Sequence, residues 1–578
     1  MISISTENVD IPLSPDDSKK INYKKSKHKT NIILGLVFIL PALAALIFTK
    51  ILPVIMTFIQ SFKERFMIDS AEFVGFNNYE RLFSTPVGGK VIGFTLLLTV
   101  SRVLLVLVPP LLLALGASAI KPKLQKVIRV ISTFPWMIYS PIALSVVWML
   151  LINPNLGFEI FTKTFFNAET SRVLILFLDG LSFFGLSCGL GMTVYLSTIN
   201  GTKENSSSKG LVRNLVILAV VLVLGTIAVS LQGGESIVFT TNGFPELTTM
   251  SVYPYITNLI FNISQNSVAA ALASPVIIVI GILGIGIALI TVLSHLRLFN
   301  LTEKADPVQM SKAMKIILVI LMIFILLAIL ISLSPYLIKS ILLISSSGII
   351  SSERINMMTS DMPFWRILLN TWITPLAIIV LIQFPITYLA ALGIGALRPF
   401  GKSSEWLLLL FAPWLFIRPM LYLPGMLPML LELGLNDSFI GFALPYILNI
   451  PMLFVLTLFF RGQAHKYTEN NQEVKFFRDY VLASLPLAII CIVFSVVTIQ
   501  QDLIWSTVIL SDPTKWMLSN LFNRLRAINI AGIGEYVTFV TLVRIPAVVL
   551  GFIVLGAYQV FYLPKLGISL GRDKVKSK

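Results

Sequence analysis

Residues 295–312 read HLRLFNLTEKADPVQMSK, a polar passage with five charged side chains and a proline, set between two long series of apolar runs. Nothing in it can cross a bilayer, so it divides the chain. Before it, runs long enough to span a hydrocarbon core of roughly 30 Å lie near 32–59, 91–119, 127–152, 172–198, 211–231 and 268–294. After it, comparable runs lie near 313–345, 367–396, 404–432, 438–461, 480–500 and 538–564. The expectation is six spans followed by six.

The totals agree with this division. Of 578 residues, 56% are hydrophobic and only 12% are charged, and the mean hydropathy is +0.87. A backbone inside lipid must satisfy its own hydrogen bonds, and the runs far exceed the length of a barrel strand, so the class is an all-α polytopic membrane protein of about twelve transmembrane helices.

Net charge +16 does not argue for nucleic acid, because the Lys and Arg sit in short patches between apolar runs. Such patches collect in cytoplasmic loops and attract anionic membrane lipid. With the N-terminus placed inside, most of the 44 Lys and Arg fall on the cytoplasmic side, so both termini are expected there, in a cell membrane. The basic N-terminal segment has no apolar core or cleavage site of a removable signal.

Other chemistries have little material. Cys188 and Cys491 each lie inside an apolar run, which suits packing. Three histidines, His28, His295 and His465, stand in polar junctions, too few for a metal centre. No GxxxxGK[ST] phosphate loop occurs, so the chain is not expected to hydrolyse ATP or to act as an enzyme, and no cofactor or metal is implied.

The halves echo each other. SLQGGESIVFTTNGFP (230–245) and TIQQDLIWSTVILSDP (498–513) align Gln232 with Gln500 and Pro245 with Pro513. Each follows the fifth span of its half and carries an acid, Glu235 or Asp502, where the membrane gives way to water. Because each half begins on the same side, the repeat is parallel, giving two six-helix lobes about an axis along the membrane normal. The division is then a basic tail (1–30), a first half (31–296), a linker (297–312), a second half (313–566) and a basic C-terminal tail (567–578).

Several stretches resemble one family, the membrane subunits of binding-protein-dependent ATP-driven sugar importers of the maltose and glycerol-phosphate permease type. FVGFNNYERLF (73–83) and FPWMIYSPIALSVVWMLLINPNLG (134–157) are similar to the first subunit type. LNTWIT (369–374), ALGIGALRPFGK (391–402) and LGLNDSFIGFALPYILNIPMLFVLTLFFRG (433–462) are similar to its partner. The resemblance implies two fused permease subunits that import a carbohydrate or polyol, served by an extracellular solute-binding protein and two cytoplasmic ATPase subunits.

The family's coupling signature, Glu-Ala-Ala followed by Gly after the fourth span, is missing from both halves. The loop 197–214 is short and rich in Ser, Asn and Gly, which predicts a flexible connection rather than a helix. The loop 462–480 keeps Tyr467, Phe476, Phe477 and Tyr480, enough apolar surface for one ATPase-docking face. Transport without ATP, by ion coupling, and a non-transporting membrane scaffold are the alternative readings.

Within the spans, Gln232, Glu235, Gln501 and Asp502 are the solute-site candidates, since amides and carboxylates can hydrogen-bond sugar hydroxyls; the bland reading is that they cap the fifth helices. Arg418 lies in a span interrupted by Pro413, Pro419 and Pro424, as a pathway element or an interfacial cation. Arg102 and Asp179 fall at similar depth and are expected to pair. The tryptophans, Trp136, Trp365, Trp414 and Trp505 among them, read as interface anchors.

Overall fold

The computed structural model describes residues 15–64, 72–137, 167–205, 208–234, 245–301, 310–345, 363–469, 474–500, 503–521 and 551–571, with a few isolated positions besides. By length and composition, eight of its helices could each cross a membrane, or up to ten if two bent helix pairs are single spans. These ten coincide with ten of the runs expected from sequence. The other two, 127–152 and 538–564, are described only in part, chiefly at 127–137 and 551–564. The chain is a helical protein compatible with several membrane crossings.

The first candidate crossing, Asn31–Ser61, runs through the later part of α1 (Pro15–Leu46), a π-helical turn (Ile47–Ile51) and α2 (Leu52–Ser61). A two-residue ladder of β1 (Lys63–Glu64) and β2 (Glu72–Phe73) then leads to the short helix α3 (Asn77–Ser84). The second crossing is α4 (Pro86–Leu107) with α5 (Pro109–Ser118), divided where Pro109 and Pro110 lack the amide hydrogens that would continue the helix. There follow α6 (Pro122–Met137), α7 (Ala168–Asn205), α8 (Ser208–Ser230), α9 (Val252–Phe261), α10 (Asn266–Leu293) and the strand β3 (Arg297–Asn300).

The second series contains α11 (Lys312–Ser345), α12 (Phe364–Ile378), a π turn (Ile379–Gln383), α13 (Phe384–Leu392) and a further π turn (Gly393–Leu397). The next candidate crossing is a helix pair bent by 70° between Gly401–Trp414 and Pro419–Glu432, its later part being α14 (Leu423–Glu432). Then come α15 (Ile450–Glu469), α16 (Ala483–Gln500) and the last strand, β4 (Leu566–Ser569).

The two series exchange their first helices. The first crossing packs on α13 and α14 of the second series, while α11 packs on α5, α6 and α7 of the first. The close contacts repeat with the same spacing. A Cβ on Gly393 would come within 2.7 Å of the Gly35 carbonyl and 2.9 Å of Ile39, and one on Gly116 within 2.8 Å of both the Leu318 carbonyl and Met322. Gly35 and Ile39 stand one turn apart, as do Leu318 and Met322, so each first helix rides on the other series in the same way. Glycine at 116 and 393 lets the backbones meet. One buried core accordingly mixes Ile39, Trp136 and Ile287 with Phe411, Phe459 and Phe460.

The loop 197–214 is not the flexible connection its composition suggests. Helix α7 continues to Asn205 and α8 starts at Ser208. The hydroxyls of Thr198 and Thr202 donate to carbonyls one turn back, and Asn214 Nδ2 donates to Thr202 Oγ1 at 3.1 Å, stitching the two helices together. Packing of β4 against this end of α7 supplies the rest, since tertiary burial overrides a weak intrinsic propensity. Trp136 and Trp505 are likewise buried, donating Nε1–H to the carbonyls of Leu186 and Phe442; Trp365 is exposed.

Candidate functional site

Polar groups set within the long apolar helices gather where the two series meet. In the first crossing, the π turn carries Lys50, only 6% exposed. Its ammonium donates to Tyr422 Oη at 2.9 Å and to the Pro445 carbonyl at 3.2 Å, and it lies 5.1 Å from the centre of the Tyr422 ring. A π turn is often found at functional sites because it displaces side chains from the regular helical register. Two turns further, Thr57 Oγ1 accepts from the Gly425 amide at 3.1 Å and lies 3.2 Å from the Tyr422 carbonyl. Gln60 donates to Ser267 Oγ, and Asn266 Nδ2 to the Pro424 carbonyl.

Opposite these groups the bent crossing leaves helical geometry between Trp414 and Pro419, with Arg418 extended at φ −86° and ψ 154°. Pro413, Pro419 and Pro424 cannot donate to the helix ladder, which frees the carbonyls around the break. Gln232, at the end of α8, holds this break from the other series. Its Nε2 donates to the Ala228 and Phe416 carbonyls, while its Oε1 accepts from the Arg418 amide at 2.9 Å. Fully buried, Gln232 both caps α8 and grips the broken segment, so its amide is committed to backbone rather than turned toward a solute.

The next residue, Gly233, lies against Arg102, whose Nη1 would stand only 2.2 Å from a Cβ placed there. Arg102 in turn forms a two-pronged pair with Asp179, Nε to Oδ2 at 2.8 Å and Nη2 to Oδ1 at 2.6 Å, with the Phe183 ring 5.2 Å from the guanidinium carbon. The turn after α8 is thus fixed on both sides, by the Arg102–Asp179 ion pair and by the bent helix pair. Glu235, Gln501 and Asp502 lie outside the described residues. Arg418 is half-buried.

The residues expected to form a docking face separate. Phe477 is 65% exposed and Phe476 is also exposed, whereas Tyr480 is buried against Phe460 and Phe476, and Tyr467 is half-buried on α15. Tyr480 therefore belongs to the core.

Sequence reasoning passed over two features. Lys50 is a lone cation deep in the apolar run IILGLVFILPALAALIFTKILPVIMTFIQ (32–60), a pattern that marks a functional candidate in a membrane span. Glu405 clamps two arginines, Arg398 at 2.8 Å and Arg461 at 2.9 Å, while Arg461 Nη2 also lies 2.8 Å from His295 Nδ1. Nothing in the spacing of 295, 398, 405 and 461 announces that cluster. Among the described residues, no group of three His, Cys, Asp or Glu could hold a metal ion.

At the opposite end, Asp437 (φ 55°) receives the amides of Ser511 and Asp512 on Oδ1, both at 2.9 Å, and the Lys515 ammonium on Oδ2 at 3.0 Å. Burial alone would raise the Asp437 carboxyl, but the Asp512 amide, the Lys515 ammonium and the Ser511 amide together hold it below its ordinary 3.8. A lowered folded value means that the loop lock is present above the ordinary carboxylate range and is lost as pH falls through the folded value. Amide protection over 509–516, measured by hydrogen exchange and corrected for intrinsic rate, should therefore hold from pH 7 to 5 and fall below pH 3.8. Asp437→Asn should weaken protection already at pH 7; equal protection in both proteins would remove Asp437 from this role.

No family model matches the chain, and neither does any curated protein.

Proposed function

We propose that the chain is the membrane permease of a solute importer, with twelve spans in two parallel lobes, both termini cytoplasmic, and a carbohydrate or polyol as solute. One observation carries this reading: the non-helical backbone at Leu415–Arg418, inside a crossing of the second series, is held by Gln232 of the first. Irregular backbone at membrane depth is tolerated only where it is buried in protein or lines a water-filled cavity, and such breaks are the usual solute sites of membrane transporters. The exchanged first helices support the two-lobed arrangement. In that arrangement Lys50, Arg102 and Asp179 lie beside the passage, and Gln232 positions the break without touching solute.

A second reading, transport without separate ATPases, is favoured by a specific feature. The connection between α7 and α8 has no helix of its own among the described residues, and β4 already lies on that end of α7.

Uptake of labelled maltose and labelled glycerol into sealed inverted and right-side-out native vesicles tests the proposal. Uptake that requires ATP and a binding-protein fraction supports the importer. Uptake that follows an ion gradient supports the second reading, and no uptake in either case overturns both. Gln232→Leu removes its bonds to the Phe416 carbonyl and Arg418 amide, a loss of about 1–3 kcal/mol in holding the break. It should lower uptake roughly tenfold or more, with little change in the amount of folded protein.

A further inference from the structure

The two strands that follow the last helices of the two series find each other. β3 and β4 pair antiparallel with Leu298 opposite Ile568, Arg297 opposite Ser569 and Asn300 opposite Leu566. Each outer side of this ribbon is covered by a helix of the opposite series: β4 lies on α7 and β3 on α15. Both contacts are made through a glycine. A Cβ on Gly201 would come 2.4 Å from the Ile568 carbonyl, and one on Gly462 would come 1.8 Å from the Leu298 carbonyl.

Leu298 and Ile568 are also register partners, so the two helix contacts are related by a local two-fold axis through that pair. Side chains and neighbouring backbone reinforce it. Arg461 donates to the Leu296 carbonyl and Lys466 to the Asn300 carbonyl, both from α15. Arg297 Nε donates to Ser569 Oγ at 3.1 Å, the Leu301 amide to the Lys565 carbonyl at 2.7 Å, and the Gly571 amide to the Ser294 carbonyl at 3.0 Å. Leu298, Phe299, Leu566 and Ile568 are all buried.

We infer that this ribbon is a clasp. It fixes the near ends of α7 and α15 to each other, so that relative motion of the two series is a rotation about the ribbon and not a separation at this face. A two-stranded ladder ordinarily leaves two edges of unpaired amides and carbonyls and is only marginally stable alone. Here both edges lie against helices at glycines, where backbone approaches backbone. Parting α7 from α15 would break the ladder, uncover four large apolar side chains and expose the buried Arg461 at once.

Two measurements test it on the full chain. In hydrogen exchange, the amides of 297–300 and 566–569 should exchange on the order of 100-fold slower than unprotected amides, and fast exchange there overturns the clasp. In a background with Cys188 and Cys491 replaced by Ala, spin labels go on Val212→Cys and Phe477→Cys, both exposed positions on α8 and at the start of the α16 crossing. Pulsed electron resonance should then give one narrow distance distribution. Gly462→Val, which forces a side chain into the Leu298 carbonyl, should broaden it and lengthen it by several ångströms; an unchanged distribution in that variant shows that the ribbon holds nothing. Should Gly462→Val fail to accumulate, the exchange result decides alone.

Discussion

Asp179→Ala should lower the yield of folded protein severely and shift its thermal midpoint in detergent downward, because it leaves the Arg102 guanidinium buried without its carboxylate. The pair is two-pronged, at 2.8 and 2.6 Å, and Asp179 is almost wholly enclosed. Removing one partner of such a pair costs about 3–5 kcal/mol, a large part of the roughly 5–15 kcal/mol that holds an ordinary domain. The double variant Arg102→Met, Asp179→Leu should recover much of the loss, since no isolated charge then has to be desolvated. Size-exclusion chromatography of solubilised membranes and a melting curve read both outcomes. A single variant as stable as the parent would show that the pair is relaxed by water. A double variant that folds yet carries no solute would place the pair in the passage itself.

Gly425→Val is expected to be nearly as damaging, for a different reason. A Cβ at this position would come 2.3 Å from the Thr57 amide nitrogen and 2.4 Å from the Pro53 carbonyl oxygen. Both obstacles are backbone atoms of α2, so no side-chain rotation relieves the clash, and α14 must move off the first crossing. Overpacking of this kind costs about 1–3 kcal/mol and sometimes more. It would also pull Tyr422 away from Lys50, because that contact lies only three residues from Gly425 on one side and two turns from Thr57 on the other. Gly89→Ala is the control, since nothing lies within 4 Å of a Cβ there. If the two variants melt together, the first crossing does not pack on the second series.

Much of the fold was legible in the sequence because it depends on local chemistry. Run length and the absence of charges called for membrane helices, and ten of the expected runs coincide with candidate crossings. The depth of Arg102 and Asp179 in their runs suggested the pair that the structure contains. The bent crossing follows from Pro413, Pro419 and Pro424, whose missing amide hydrogens act on their own turn of helix whatever surrounds them.

The rest required long-range contacts that no periodicity encodes. Residues 197–205 read as part of a flexible loop on propensity, yet they are helical because β4, more than 350 residues later, packs on them. Gln232 read equally as a solute ligand or a cap, and only the position of the Phe416 carbonyl and the Arg418 amide decided where its hydrogen bonds go. Lys50 stands as one cation in an apolar run, and only the second series supplies it with partners, Tyr422 and Pro445. The chain's own residues determine that helices form and where they break. Which helix meets which, and so which polar group finds a partner in a medium without water, is set by packing between series hundreds of residues apart, because an unsatisfied buried group costs too much to be left where local structure alone would put it.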